Sequence, residues 1–376
     1  MKKLNAKRLA ALAMTLVMLL GVLTACGDKA DTNNGSGDGE GFPTMTIQIA
    51  HVNPTTDDDQ YNKLATLFAE KVTAATDGAV TFEICGNSEL GGEADVLTGF
   101  DLGTHQMGII TNGSYGNLYG PSLVVELPFI FKDNETAWNF LDGDIMKEVT
   151  DGLYDTLGYK EEVLTLLPEI KLIHSTDLQE KSIICWQQVL LAWGEGGFRN
   201  ILSQKPIRTP ADLKGMKIRV PGMEMFMATF QTIGAAPSAL DFNETFTAVQ
   251  QHLMDGLELP IASAYTGSYY EICDYYDMTG HFYNAISLSC SKSFWESLSP
   301  ELQEIFLTAA KEAGAEQRTW LQTAAADMLS KMEDGGCTII DDVDVAAFQE
   351  ACAPVYEAYR DKIGSDLLDR AVAAVQ

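Results

Sequence analysis

The sequence predicts an α/β fold in two lobes that close like a clamshell. Two observations carry most of this. Between Met45 and Thr111 the apolar residues change period from two to 3.6 and back, giving strand, helix, strand, helix, strand. That is the pattern of a sheet with helices on its faces. From Ser299 to about Glu333 a single helical pattern runs without a breaker, roughly 50 Å at ~1.5 Å per residue. This is longer than one small domain is wide, so the helix either bends or lies across two lobes. Several chain crossings between the lobes, with a ligand-sized gap, complete the clamshell; closure of this kind uses a few local hinge residues. A length of 376 residues allows two domains with ample cores.

Lys2, Lys3, Lys7 and Arg8 form a positive region, and Leu9–Ala25 is an almost unbroken apolar run of 17 residues. The run is short for a membrane span and ends Leu23-Thr24-Ala25-Cys26-Gly27. This resembles a bacterial lipobox, with residues 1–25 as the lipoprotein signal peptide and Cys26 as the acylated new N-terminus. Residues 26–44 are polar and glycine-rich and read as a flexible tether. Six further cysteines, Cys85, Cys185, Cys273, Cys290, Cys337 and Cys352, form no CxxC pair and no zinc spacing, and they read as core residues.

In the folded part Met45–Ile49 alternates like a strand, and Tyr61, Leu64, Leu67, Phe68 and Val72 mark a buried helical stripe. Val80, Phe82 and Ile84 form a second strand, Val96, Leu97 and Phe100 a helix, and 106–111 a third strand. Ligands of such sheets gather beyond the C-terminal strand ends, here His51-Val52-Asn53 and Thr111-Asn112-Gly113; plain turn chemistry explains these asparagines as well. Helices are expected at Asn134–Leu141 and 144–157, and strands at 189–193 and 198–202. The glycines at 194, 196 and 197 are no dinucleotide fingerprint, because Arg199 replaces the third glycine.

The stretch from Lys205 to Pro260 organises the chain. Pro210 and Gly215 bracket a short helical turn, Lys217–Val220 is a strand, and Pro221-Gly222 stops it. Arg219 at the end of that strand is well placed to hold a carboxylate, because a guanidinium makes two parallel hydrogen bonds that an ammonium cannot. A solvated or ion-paired arginine is the plainer alternative. A helix over 223–233, a further helix capped by Asn243, and strands at 257–260 and 285–290 follow, and an amphipathic helix from Val343 to about Lys362 closes the chain.

Charge narrows the partners. There are 25 Lys+Arg against 53 Asp+Glu, and the first 25 residues hold four bases and no acid, leaving 21 bases against 53 acids beyond them. Nucleic acid is excluded as a partner, since phosphate contacts need basic patches. A small anion is not, because exposed charges are screened beyond ~8 Å and one buried arginine outweighs them. The five histidines give no HExxH, and no GxSxG turn occurs, so nothing points to an enzyme.

A resemblance now joins these observations. Ser88-Glu89-Leu90-Gly91-Gly92, Glu126-Leu127-Pro128-Phe129-Ile130-Phe131, Gly197-Phe198-Arg199 and the long Pro206–Pro221 segment occur in order. Gly234-Ala235-Ala236-Pro237, Ala248-Val249-Gln250 and Asp255-Gly256-Leu257-Glu258 follow. From Met45 onward the chain resembles an extracytoplasmic solute-binding protein of the tripartite ATP-independent periplasmic (TRAP) transporters, the DctP family. The resemblance implies a two-lobe periplasmic-binding-protein-like clamshell with a long helix spanning both lobes. Lobe I is expected over 45–196 plus 285–315 and lobe II over 197–284 plus 316–376, with 159–188 a probable insertion.

It also implies capture of a small organic acid and delivery to membrane permease subunits, from an extracytoplasmic or periplasmic position held by the lipid anchor. Arg219 matches the family's carboxylate-gripping arginine, Arg199 a second arginine near the ligand, Asn53 a first-lobe asparagine, and Thr111 and Asn112 the polar strand end. Pro237 and Leu259 complete the expected ligand set, with no catalytic residue, cofactor or metal. Arg199 could instead pair with an acid such as Glu195. Many members carry asparagine where this chain has Leu259, which implies a ligand less polar there than a sugar acid or dicarboxylate. The other readings are a ligand-binding subunit of a membrane sensor system, separable by whether two membrane subunits are encoded alongside, and an extracellular enzyme.

Overall fold

Two long antiparallel strands tie the fold together. The computed structural model describes residues 41–156 and 188–375, with side chains in the first range described to 153. The expected leader 1–25, Cys26, positions 26–40 of the tether and 157–187 of the expected insertion lie outside the described residues. Strands β1 (Met45–Ala50), β2 (Val80–Cys85) and β3 (Met107–Thr111) alternate with helices α1 (Gln60–Ala75) and α2 (Glu93–Leu102), as the periodicity predicts. A short helix α3 (Asn112–Gly116) follows β3 directly, and α4 (Asn134–Leu141) and α5 (Asp144–Thr156) complete this part.

The chain then enters β4 (Gln188–Ser203), followed by β5 (Lys217–Val220), α6 (Glu224–Thr232), β6 (Ala236–Ala239), α7 (Phe242–Gln250), β7 (Gly256–Pro260) and α8 (Ile261–Thr266). It returns through β8 (Tyr275–Ser291), α9 (Lys292–Ser297), α10 (Pro300–Asp334), β9 (Thr338–Ile340), α11 (Val345–Ile363) and α12 (Ser365–Val375). Among the described residues these strands form one sheet in the order β2-β1-β3-β8-β4-β7-β5-β6, with β9 beside β8. Three parallel strands at one end and three at the other are joined by the antiparallel pair β4 and β8.

The middle of the sheet departs from the expected pattern for a physical reason. Where two short strands are expected at 189–193 and 198–202, the structure has one strand, β4, running through the glycines between them. The ladder with β8 slips at Glu195/Gly197 and again at Arg199/Ile201, and Gly197 has φ +89°. A bulge needs such a residue, so glycine serves strand curvature here rather than a turn. β8 likewise extends well upstream of the expected Ala285 start. The helix expected to be capped by Asn243 begins at Phe242 behind Asp241, so Asn243 lies in its first turn. β6, α8, α9 and α12 were not anticipated; they are short or masked by neighbouring apolar runs.

Helix α1 shows how local chemistry fixes the frame. The Asp59 side chain accepts from the amides of Tyr61 and Asn62, capping the first turn, and Tyr61, Leu64, Phe68 and Val72 line its buried face. Helix α10 starts on a Ser299 cap with Pro300 at the first turn and runs 35 residues, about 50 Å. Its Leu302, Phe306, Ala310 and Ala313 pack into the core around Ile47, Phe68 and Met107. Farther on, Met332 packs into a different core with Val249, Leu257 and Tyr276. One helix thus joins the cores at the two ends of the sheet. Among the described residues no helix is long and apolar enough to cross a membrane.

Candidate functional site

Strand alternation splits the middle of β4 between two cavities. Arg199 faces a cavity of ≈ 230 Å³ between the two ends of the sheet. Its neighbours Phe198 and Asn200 face another, of ≈ 440 Å³, on the opposite side. The second is walled by groups such as Phe129, Met278 and Leu321, and its buried Glu195 is already engaged by Trp138 Nε1 at 2.9 Å and Gln322 Nε2 at 3.1 Å. The first holds two buried guanidinium groups and is the candidate site.

Of the seven expected ligand residues, Arg219, Arg199, Asn53, Thr111 and Leu259 line this cavity. Asn112 does not: its amide donates inward to the Ser122 carbonyl at 2.9 Å and to Glu126 at 3.0 Å. Pro237 does not either, because the parallel register sets it beside Ile218 in β6. Asn53 donates to Asp59 and to the Ser263 hydroxyl, both at 2.9 Å. Gln60 reaches the same hydroxyl at 2.6 Å, and Asn117 donates to the Gly222 carbonyl at 3.0 Å across the other rim. These bonds clasp the walls of the cavity.

The two arginines are electrostatically different. Arg199 donates through Nε and Nη2 to the Glu258 carboxylate, through Nη1 to Asn284 at 2.9 Å, and lies over the Phe226 ring at 5.1 Å. Burial alone lowers its pKa, but the Glu258 charge and hydrogen bonds more than reverse this. It is therefore a neutralised pair, with Glu258 and not Glu195 as the partner. Arg219 sits at the end of β5 and is 2% exposed. Its Nε and Nη2 donate to one acceptor, the Leu240 carbonyl, at 3.0 and 2.6 Å. A guanidinium carries five N–H donors, so three remain. Among the described residues no acidic side chain forms an ion pair with it. Burial lowers its pKa to about 10, so it stays cationic at neutral pH.

Sequence reasoning stopped one residue short of a further member of the wall. Glu93 follows the Gly91-Gly92 pair and opens α2 in the cavity. It accepts from the Thr111 amide at 3.1 Å, the Thr111 hydroxyl at 2.7 Å and the Ser114 hydroxyl at 2.6 Å. Burial pushes its carboxyl up. From Thr111 the polar chain continues through Tyr61 and Asn284 to Arg199. An acid directly after a glycine pair, at a helix start, was the available signal. Asn284 and Tyr61 gave none, being ordinary strand and helix residues until the fold brings them together.

Several buried carboxyls share the direction of Glu93. Burial raises Asp59 to about 6 and Glu126, Glu195 and Asp277 to about 7 each. A carboxyl with a raised folded pKa binds its proton more tightly folded than unfolded, so stability falls as pH rises from about 4 toward about 7. The chain's net charge of −28 at pH 7 acts in the same direction. The melting temperature should therefore be higher at pH 5 than at pH 8, and Glu126→Gln should flatten the slope. A melting temperature that climbs across this window would show that these groups do not govern it.

No group of three or more His, Cys, Asp or Glu among the described residues is placed to hold a metal ion. The cavity brings together one uncompensated cation, hydroxyl and carboxyl groups at the far wall, and Leu97, Met223, Phe242 and Leu259 between them.

Comparison with known proteins gives the family and the fold. The profile of bacterial extracellular solute-binding protein family 7, DctP, matches residues 49–161 and 180–362. A solute-binding protein of Roseobacter denitrificans is 30% identical over 307 residues, spanning 82% of this chain and 84% of the relative. Two crystal structures of TRAP periplasmic solute-binding proteins superpose closely. One, from a Polaromonas species with bound D-erythronate, has a TM-score of 0.76 at 26% identity, covering 87% of this chain and 98% of its own. The other, from Pseudomonas putida with bound D-glucuronate, has a TM-score of 0.75 at 28% identity, covering 88% and 98%.

Proposed function

The chain belongs to the bacterial extracellular solute-binding proteins of family 7, the DctP family, and on that premise we propose that it captures a small organic acid through Arg219 for delivery to the membrane permease subunits of a TRAP transporter. The observation that carries this reading is the charge state of the cavity. Arg199 and Glu258 cancel, whereas Arg219 is buried, charged and unpaired, with Nη1 and one Nη2 hydrogen left over. A carboxylate supplies the missing counter-ion and accepts those hydrogens bidentately. Arg199 is fixed by its own partners and contributes at most one further hydrogen bond; Asn53, Thr111, Glu93 and Leu259 shape the rest. Related proteins with bound erythronate and glucuronate make a hydroxylated acid the first class to screen.

The remaining parts of the reading follow from the sequence. Cys26 is the lipidated residue after removal of 1–25, 26–44 is the tether, and the mature protein works outside the cytoplasm, anchored to a membrane. The two lobes, 45–196 plus 285–315 and 197–284 plus 316–376, close over the ligand, and 159–188 is an insertion between two elements of the first. The protein binds and does not catalyse.

The test is a thermal-shift screen of the mature chain against monocarboxylates, dicarboxylates and sugar acids. A stabilising acid supports the reading, and a carboxylate panel with no stabilising member overturns it. Leu259 adds a second prediction. It is 2% exposed in the cavity wall, so a polar ligand group beside it goes unpaired. Leu259→Asn should tighten binding of polyhydroxy acids by about 3- to 10-fold, roughly one hydrogen bond, and leave apolar monocarboxylates unchanged or weaker. Equal response of both classes, read by calorimetry, would remove Leu259 as a selector.

A further inference from the structure

Cys273 and Cys337 stand just ahead of two neighbouring strands. β8 and β9 pair in parallel with Tyr275 opposite Thr338, and the Thr338 amide donates to the Asp274 carbonyl at 2.8 Å. Carried back one step, this register sets Cys337 opposite Asp274 and Cys273 one residue diagonal to it. Neighbouring strands lie ~4.8 Å apart, so the two cysteines flank a strand spacing that the ~4.4–6.8 Å Cα span of disulfides accommodates. Both side chains also enter the same core, because the chain bends at Asp274 ahead of β8 instead of continuing the strand alternation. Asp274 and Thr338 are exposed, while Cys273 and Cys337 are 2% and 3% exposed and share one apolar cluster with Leu202, Tyr276 and Met332. The other described cysteines sit elsewhere: Cys85 ends β2, Cys290 lies in the core of the first half, and Cys352 is on α11.

We propose that Cys273 and Cys337 are a redox site, thiols in the structure described here and joined as a disulfide when the protein matures outside the cytoplasm. The oxidant is an extracytoplasmic protein disulfide. One cysteine thiolate attacks it, forming a mixed disulfide and expelling one thiol of the oxidant; the second cysteine thiolate then attacks the mixed disulfide and expels the other. The pair loses two protons and two electrons, and the oxidant leaves as a dithiol. Burial pushes both thiols well above their ordinary range, so the folded pair is poorly nucleophilic. Exchange therefore belongs to folding, before β9 docks. The bond closes a loop of roughly 65 residues containing β8 and the whole of α10, a span whose closure constrains the unfolded chain strongly.

The experiment uses the full mature chain exported by its host and alkylated under denaturing conditions without reductant. Peptide mapping should find Cys273 linked to Cys337, and dithiothreitol should lower the melting temperature by about 5–10 °C. Cys273→Ser and Cys337→Ser should each free the remaining partner for alkylation and abolish the response to reductant, whereas Cys352→Ser should keep both. Alkylation of Cys273 and Cys337 in the unreduced parent, or linkage of either to a different cysteine, overturns the proposal. The parent map stands even if a serine variant fails to fold.

Discussion

Arg219→Ala should weaken binding of the best carboxylate by on the order of 100- to 1,000-fold, while leaving the ligand-free protein as stable as before or slightly more so. The two halves of this expectation come from the same geometry. In the complex the guanidinium is the counter-ion of a desolvated carboxylate, and truncating one partner of such a pair costs about 3–4 kcal/mol, much of it for the charge left unpaired. Without ligand, Arg219 is a buried cation whose partner among the described residues is the Leu240 carbonyl, and burial already lowers its pKa to about 10. Removing it relieves a desolvation cost instead of breaking an ion pair.

A thermal-shift titration separates the halves. Ligand at ~100 times the parent's dissociation constant adds about 2.7 kcal/mol to the parent, but only about 0.4 kcal/mol to a variant that binds 100-fold more weakly. Arg219→Lys should fall between, since the charge stays but the planar fork is lost. If the alanine variant is stabilised as much as the parent, Arg219 is not the anchor. If instead its ligand-free form melts far lower, the residue holds the fold.

Much of this was legible in the sequence because it depends on local signals. Periodicity gave the first three strands and their helices, and the absence of any breaker gave α10. Arg219 could be singled out because it ends a short strand bracketed by Pro210, Gly215 and Pro221. What was not legible depends on partners distant in sequence. Arg199 had Glu195 four residues away as an available acid. The bulge between Glu195 and Gly197 breaks the strand alternation that would have kept Glu195 on the face of Arg199 and leaves it in the opposite cavity, and the pairing of β4 with β7 brings Glu258 to Arg199 instead. Asn112 looked like its neighbour Thr111, but the helix α3 that starts at Asn112 turns its amide toward Glu126. Only the register of the long strands decides such cases, and register is set by the fold as a whole.

That same register makes Glu258 the most consequential acid in the molecule. Glu258 is 0% exposed and holds Arg199 through both carboxylate oxygens, with His281 Nε2 at 3.6 Å. Burial opposes its charge, but the Arg199 charge, the nearby His281 and the hydrogen bonds from Arg199 outweigh burial and hold its pKa low. Glu258→Gln keeps the shape and leaves Arg199 and Arg219 as two uncompensated buried cations. Breaking a buried pair from one side costs about 3–5 kcal/mol, so the melting temperature should fall by on the order of 5–15 °C.

The sign of the pH dependence is opposite to that of the other buried carboxyls. A lowered folded pKa gives stability that is present above the ordinary carboxylate pKa and lost as pH falls through the folded value, so the deficit of the glutamine variant should shrink in strong acid. A saturating carboxylate should recover part of the loss, because its charge now faces two free guanidinium groups. Glu195→Gln is the control. Its pKa is raised to about 7 by burial, so the neutral replacement should be nearly silent at pH 5. If Glu258→Gln melts with the parent at neutral pH, the Arg199 pair does not support the floor of the cavity and the electrostatic account of the site fails with it.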